Sequence, residues 1–285
     1  MKNDIFDFRR FGRYFLSDLR TCSANFGLSL ITLSLITFGI TYVLTIINNL
    51  IFEEVWAGPN NGLRMFIYAV NLMAVVILMP VKCYGGLTDK KYGSFWLSLP
   101  ASGMEKFASM LINTIIIAPL AASMLFLGID ALTCLFDQTC GAPVAVSMYK
   151  ISEILGQIGS TGEFSGERVP ESLMPFISQI TNGWLYIDDL FGISLPFLLG
   201  AIFFKKNKTA KTLLSLFGFG MAASMISAPL MQHWGLEIIE SADQIEGLFS
   251  HGFFRNVALW DTLSDTVVNL ALLTGIWFRI KTLKH

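Results

Sequence analysis

The chain has 285 residues, of which 53% are hydrophobic and only 14% are charged, and its mean hydropathy is +0.59. Soluble domains carry about 25% charged residues, so this composition excludes an ordinary water-soluble protein. Because the charges are few and clustered, we expect an all-α integral membrane protein in which lipid replaces water around most of the surface.

The chain begins with an amphipathic segment, residues 4–20. Apolar and basic side chains recur there at helical spacing, with Phe8, Phe11, Phe15 and Leu19 on one face and Arg9, Arg13, Ser17 and Arg20 on another. This pattern indicates a helix that lies in the cytoplasmic headgroup layer with its arginines toward anionic lipid. It is equally compatible with a positive flank that only fixes the topology.

Six apolar segments follow, at residues 26–51, 64–83, 107–130, 184–204, 211–233 and 260–279. A helix needs roughly 20 apolar residues to cross a bilayer core of about 30 Å, and the flanking Arg64 and Lys82 can snorkel to the interface. Helices are required because isolated strands would leave backbone groups unpaired in lipid. The sequence therefore predicts one transmembrane domain, residues 1–285, with an N-terminal interfacial helix and six transmembrane helices.

Two polar stretches lie between these segments. Residues 136–183 form a long loop between the third and fourth segments, and residues 235–259 mix apolar and acidic side chains. We expect the second stretch to dip into the outer leaflet as a short helical hairpin packed on protein.

The distribution of basic residues predicts the orientation. With six spans, both termini share one side with the loops at 82–106 and 205–211, and that side holds 16 of the 20 lysines and arginines. By the positive-inside rule, both termini are cytoplasmic.

The four cysteines divide according to this topology. Cys22 and Cys83 would face the cytoplasm and stay reduced. Cys134 and Cys140 lie near the outer end of the third span, where an oxidising compartment would allow a disulfide. Two free cysteines that act as small apolar residues are the equal alternative.

Known catalytic patterns do not occur in the sequence. It contains no G-x-x-x-x-G-K-[ST], H-E-x-x-H or G-x-S-x-G motif, and its three histidines, His233, His251 and His285, are too scattered for a metal site. We therefore expect a protein without enzymatic activity, cofactor or metal.

Several polar residues near the outer ends of predicted spans are candidates for a path or for interhelical contacts. They are Asp188, Asp189, Asp261, Asp265 and Asn269, of which the last three share one helical face at i, i+4 and i+8. Acids within a membrane often mark an ion or substrate path, but acids in a first turn also reach water and complement the helix dipole. The Asn269 amide is expected to hydrogen-bond another helix.

The cytoplasmic stretch YGSFWLSLPASGMEKF, residues 92–107, has strong local signals. Ser102 and Glu105 fit an S-x-x-E capping box, and Pro100 ends whatever precedes it. The pattern predicts a short amphipathic helix around Tyr92–Leu99 with Phe95, Trp96 and Leu99 on the membrane, then a turn, then a capped span. A simple well-capped loop is the alternative interpretation.

Residues 99–107, LPASGMEKF, resemble the LPAS…EKF segment of bacterial permeases of the ABC-2 type, especially Bacteroidetes-like sequences. The layout of the chain is also similar, although its outer loop 136–183 is longer than in compact family members. The resemblance implies a multi-pass subunit of an ATP-binding cassette exporter in the bacterial inner membrane, paired with a second permease as a homodimer or heterodimer. It also implies that a separate ATPase subunit docks on a coupling segment formed by Tyr92, Phe95, Trp96, Leu99, Pro100, Ser102, Glu105 and Lys106.

Two other classes of function remain open from the residues alone. One is an ion-coupled secondary transporter or channel that uses the four aspartates named above. The other is a non-transporting membrane protein with a role in immunity, sensing or assembly, whose outer loop binds a partner. Membrane lipid surrounds the chain in every case, and no nucleic-acid partner is expected.

Overall fold

The computed structural model describes residues 6–52, 58–161, 163–164, 167–168, 184–233 and 257–282. Within these residues the fold is helical apart from one two-residue antiparallel hairpin, β1 (Glu163–Phe164) and β2 (Glu167–Arg168). The helices are α1 (Phe8–Phe52), α2 (Asn61–Tyr84), α3 (Lys90–Ser98), α4 (Gly103–Leu111), α5 (Ala118–Phe136), α6 (Val144–Thr161), α7 (Trp184–Phe203), α8 (Lys208–His233) and α9 (Val257–Thr282).

Four helical stretches in the described part of the chain are long and apolar enough to cross a membrane. They are Phe8–Phe52, Asn61–Thr88, Gly103–Phe136 and Leu263–Thr282, and a shorter apolar helix runs over Gly192–Phe203. Large apolar side chains such as Leu28, Phe66 and Phe136 stand exposed on their outer faces, as expected where lipid is the solvent. The expectation of an all-α fold with several helices long and apolar enough to cross a membrane is confirmed at this level.

Helix α1 is a single helix of 45 residues, about 67 Å long at 1.5 Å per residue. The sequence suggested an interfacial helix at 4–20 that is separate from the first span at 26–51. The structure corrects this, because residues 21–25 contain neither Pro nor Gly and the helix continues through them. Since about 20 residues cross the hydrocarbon core, more than half of α1 extends beyond it.

The core is built around α2, which packs against α1, α5 and α7. Its Val75, Val76 and Met79 are almost completely buried, as are Leu195 and Leu198 of α7. Polar contacts also join the helices within this core: the Asn71 amide of α2 donates to Thr37 Oγ1 of α1 at 2.8 Å. Such side-chain hydrogen bonds are a common link between helices in membranes.

Helices α4 and α5 form one continuous rod through a π-helical turn at Ile112–Ile117. Pro119 lies two residues beyond the end of this turn, in the first turn of α5. Proline cannot donate to the carbonyl of residue i−4 and its ring collides with that carbonyl, so the chain departs from α geometry just before it.

The two predicted polar stretches are described only in part. In the loop 136–183, the chain forms a 3₁₀ turn at Gln138–Cys140, then α6 and the β1–β2 hairpin, while residues 169–183 lie outside the described residues. The predicted hairpin at 235–259 also lies outside them, except for its last three residues, which begin α9.

Candidate functional site

The predicted coupling segment forms a short helix, a turn and a capped helix. Helix α3 ends at Ser98, and α4 begins at Gly103 after the N-cap Ser102. The Glu105 amide donates to Ser102 Oγ at 3.3 Å, and the Ser102 amide donates to Glu105 Oε2 at 2.9 Å. The capping box predicted from the sequence is therefore present.

Glu105 also joins this segment to the beginning of α1. Its carboxylate accepts hydrogen bonds from Arg10 Nη2 at 2.7 Å and Arg10 Nε at 2.9 Å, and from the Asp7 amide at 2.9 Å. The Glu105 side chain is fully buried, whereas that of Arg10 is 27% exposed. Burial alone would raise the pKa of Glu105, but the hydrogen bonds from Arg10, Asp7 and Ser102 lower it to about 2. The carboxylate therefore stays charged and fixes α4 to α1.

Trp96 is a second contact between this segment and α1. The sequence suggested that Trp96 faces the membrane, but it is only 4% exposed, and its indole Nε1 donates to the Tyr14 hydroxyl of α1 at 3.0 Å. The ammonium of Lys106 donates to the Trp96 carbonyl at 2.8 Å and lies 4.6 Å from the centre of its ring, within reach of a cation–π interaction. Trp96 therefore anchors α3 between α1 and α4.

The residues of the predicted coupling segment divide into two groups. Trp96, Ser102, Glu105 and Lys106 are buried and hold the segment in place, and Tyr92 and Leu99 are half-buried against the core. Phe95, at 63% exposed, and Pro100 stand on the surface, together with the neighbouring Ser98 and Met104. Only this second group is accessible to another subunit.

A cluster that the sequence analysis did not predict lies one turn further along α1. Asp18 of α1 accepts three hydrogen bonds on its Oδ2 atom: from the Tyr84 hydroxyl at 3.0 Å, the Ser109 hydroxyl at 2.5 Å and the Asn113 amide at 3.0 Å. The Asn113 amide also donates to the Tyr84 hydroxyl at 3.1 Å. We call these four residues the Asp18 cluster.

Asp18 is partly buried, and the other three members of the Asp18 cluster are buried. Among the residues that the structure describes, the ion pairs are Arg10–Glu105 and Arg64–Asp130, so Asp18 has no cationic partner there. The available sequence signal was the i, i+4 series Tyr14, Asp18 and Cys22, which marks the face of α1 that turns toward α2 and α4.

At the other end of the bundle, Arg64 of α2 is buried rather than extended toward the interface. It is 3% exposed, and its guanidinium donates to Asp130 Oδ1 at 2.9 Å and to the carbonyls of Cys140 and Ala142 at 2.8 and 2.7 Å. This corrects the expectation that Arg64 snorkels. A buried acid within reach, Asp130, compensates the charge.

Cys134 and Cys140 form a disulfide beside this ion pair, with their Cα atoms 5.2 Å apart. The other oxygen of Asp130, Oδ2, accepts a hydrogen bond from the Val144 amide at 2.7 Å. The disulfide and the ion pair together fix the short connection between α5 and α6 onto α2.

The predicted polar path is resolved only in part. Helices α7 and α9 lie against each other, and Asn269 is buried at 8% exposed, whereas Asp265 is exposed. The side chains of Asp188, Asp189 and Asp261 lie outside the part of the chain that the structure describes. A path through these residues stays a prediction.

No protein-family profile, curated protein or solved structure matches the chain. Among the described residues, no group of three or more His, Cys, Asp or Glu side chains is arranged to hold a metal ion. The function is therefore inferred from the sequence resemblance of residues 99–107 and from the contacts around them.

Proposed function

We propose that the chain is the membrane subunit of an ATP-binding cassette exporter of the ABC-2 type, with six spans and both termini in the cytoplasm of a bacterial cell. A separate ATPase subunit hydrolyses ATP, and this chain moves a substrate, not identified by its residues, across the inner membrane. The observation that carries the proposal is the LPASGMEKF segment, which resembles the coupling segment of such permeases. The short helix α3, with the exposed Phe95, comes directly before it.

The contacts of α3 support a mechanical role for this segment. An ATPase would dock on the exposed side chains Phe95, Ser98, Pro100 and Met104. A displacement of α3 then acts on α1 through Trp96 and Tyr14, and a displacement of α4 acts on it through Glu105 and Arg10. Transport requires that ATP favour one of two arrangements of the helices by binding that arrangement more tightly.

The proposal includes a second permease, either another copy or a homologue. All side chains from residue 213 to residue 225 of α8 are exposed, so no part of the described chain covers this stretch. In a membrane, lipid, the remainder of the chain or another subunit covers such a helix, and the proposal assigns part of it to a second permease.

The test is co-purification of the tagged, full-length protein in mild detergent, followed by mass spectrometry. A P-loop ATPase should co-purify with the native chain and be lost or strongly reduced with Phe95→Ala. The matched control is Phe66→Ala on α2, because Phe66 is exposed to a similar extent, 67% against 63%. Trp96 is unsuitable for this test, since its substitution would disturb the contact with Tyr14.

The outcome distinguishes the proposal from its rivals. If no ATPase co-purifies under conditions that preserve other membrane complexes, the exporter proposal is wrong. If the ATPase binds the Phe95→Ala protein as well as it binds the control, the docking site lies elsewhere on the chain.

A further inference from the structure

We propose that the Asp18 cluster is a proton-binding site, in which Asp18 takes up a proton from the aqueous phase and so loosens α1 from α2 and from the π-helical turn. This inference goes beyond the proposed function and does not depend on it. The ligand is the proton itself, so the site needs no cavity.

Two opposing effects act on the charge state of Asp18, and burial is the larger one, so the pKa of its carboxyl is raised from its ordinary value. Partial burial without a cationic partner favours the neutral carboxyl, while three donors on one oxygen favour the carboxylate. Since Asp18 is only partly buried, water reaches the group and can supply or remove the proton.

The groups around Asp18 that can titrate are neutral in their ordinary forms near pH 7. They are Tyr14 and Cys22 on α1, Cys83 and Tyr84 on α2, and Tyr92 on α3. From α4 and the π-helical turn, the neutral Ser109 and Asn113 face Asp18.

The cations of the packed elements whose side chains the structure describes are engaged elsewhere or lie in solvent; the side chains of Lys90 and Lys91 on α3 lie outside that part. Arg10 binds Glu105, Lys106 donates to the Trp96 carbonyl, and Lys208 donates to the Gly85 carbonyl. The side chains of Arg13, Arg20 and Lys82 are exposed.

The cluster can satisfy both charge states of Asp18. When Asp18 is ionised, the two hydroxyls and the Asn113 amide all donate to it. When it is protonated, its new O–H can donate to the oxygen of Ser109, because a serine hydroxyl both donates and accepts. The protonation of Asp18 consumes one proton from water and needs no other reactant.

The position of the cluster determines what protonation would change. Its members come from α1, from the last residue of α2, from α4 and from the π-helical turn, a type of irregularity that is frequent at functional sites. Hydrogen bonds to a charged acceptor are roughly twice as strong as those between neutral groups. Protonation of Asp18 therefore weakens the contact of α1 with the other elements at this level.

Two measurements on the full-length protein in detergent test the proposal. In infrared spectra, the C=O stretch of a protonated carboxyl should persist in the wild type above pH 5, where ordinary aspartates, with a pKa of about 3.9, are ionised. That band should be missing in Asp18→Asn and retained in the control Asp89→Asn, which makes the same change at an exposed aspartate. If the band of the wild type differs from that of Asp18→Asn only below about pH 4, the proposal is wrong.

The second measurement uses Cys22, which is 5% exposed and lies 3.5 Å from the Tyr84 hydroxyl, as a built-in reporter. Its labelling by a thiol reagent is quantified by mass spectrometry and divided by the labelling of Cys22 in Asp18→Asn at the same pH. We expect this ratio to be well below one at high pH and to approach one as the pH falls. A ratio that does not change with pH contradicts the proposal.

A third variant keeps the proposal testable if Asp18→Asn does not fold. Ser109→Ala removes one donor to the charged form, so it should raise the infrared midpoint by about one to two pH units, since a hydrogen bond to a charged group contributes about 1.5–3 kcal/mol at 1.36 kcal/mol per pH unit. An unchanged or lowered midpoint would show that Ser109 does not stabilise the carboxylate, against the proposal.

Discussion

The Glu105 contact allows a quantitative prediction for the substitution Glu105→Gln. Glutamine resembles the protonated form of glutamate, so the substitution removes the preference of the fold for the charged form. A pKa of about 2 against an ordinary value of 4.5 corresponds to about 3 kcal/mol at 1.36 kcal/mol per pKa unit. Because the Arg10 side chain is 27% exposed, water screens the pair, and we expect a loss of about 2 kcal/mol.

The assay is thermal unfolding of the full-length protein in detergent at pH 7. At about 2–4 °C per kcal/mol, the midpoint of Glu105→Gln should fall by roughly 4–8 °C. Glu153→Gln is the control, because Glu153 is exposed on α6, and its midpoint should stay within about 2 °C of the wild type, as surface substitutions change stability by less than about 0.5 kcal/mol. Equal midpoints for the two variants would refute the reasoning.

The pH dependence gives an independent check of the same contact. The pKa of Glu105 is lower in the folded protein than its ordinary value, so its contribution is fully present above about pH 4.5 and is lost as the pH falls toward about 2. The difference in thermal midpoint between the wild type and Glu105→Gln should therefore shrink as the pH falls over this range. If the difference in midpoint grows as the pH falls, Glu105 is not held as a carboxylate.

Three further predictions concern the rest of the bundle. Asp130→Asn should lower the stability in detergent by about 3 kcal/mol, because it leaves the charge of Arg64 buried without a partner; an unchanged melting temperature would contradict this. Cys134→Ser should lower the free energy of unfolding by about 2 kcal/mol, because it opens the loop that the disulfide closes over a sequence separation of 6. A reductant should destabilise the wild type but not this variant. On intact cells, an impermeant thiol reagent should label Tyr149→Cys but not Ser98→Cys, both at exposed positions, and the opposite result would invert the orientation.

Local signals in the sequence predicted local features of the fold. The S-x-x-E pattern placed the beginning of α4, because a capping box involves only residues three apart. The apolar segment 64–83 corresponds to α2 at Asn61–Tyr84, and the segments 184–204, 211–233 and 260–279 fall on α7, α8 and α9. Leu263–Thr282 of α9 is long and apolar enough to cross a membrane, and a shorter apolar helix runs over Gly192–Phe203 of α7. That all three of these helices cross the membrane stays a prediction.

The parts that the sequence did not predict depend on contacts between distant residues. Trp96 looked like a membrane-facing residue because its partner Tyr14 lies 82 positions away. The sequence analysis assigned no role to Asp18, because its partners Ser109 and Asn113 lie more than 90 positions away. Periodicity shows which side chains share a face, but it does not show which other helix will cover that face.

The unbroken course of α1 has a mechanical consequence. Tyr14 contacts α3 near one end, while Tyr42 donates to Asp137 near the other at 3.2 Å, about 42 Å away along the axis at 1.5 Å per residue. A helix without a break behaves as a stiff rod, so a piston-like shift or a roll at the first contact appears at the second with the same size. One residue of register equals a 1.5 Å slide or a 100° roll. Strain applied at α3 would thus reach the opposite end of the bundle directly, without a chain of intermediate rearrangements.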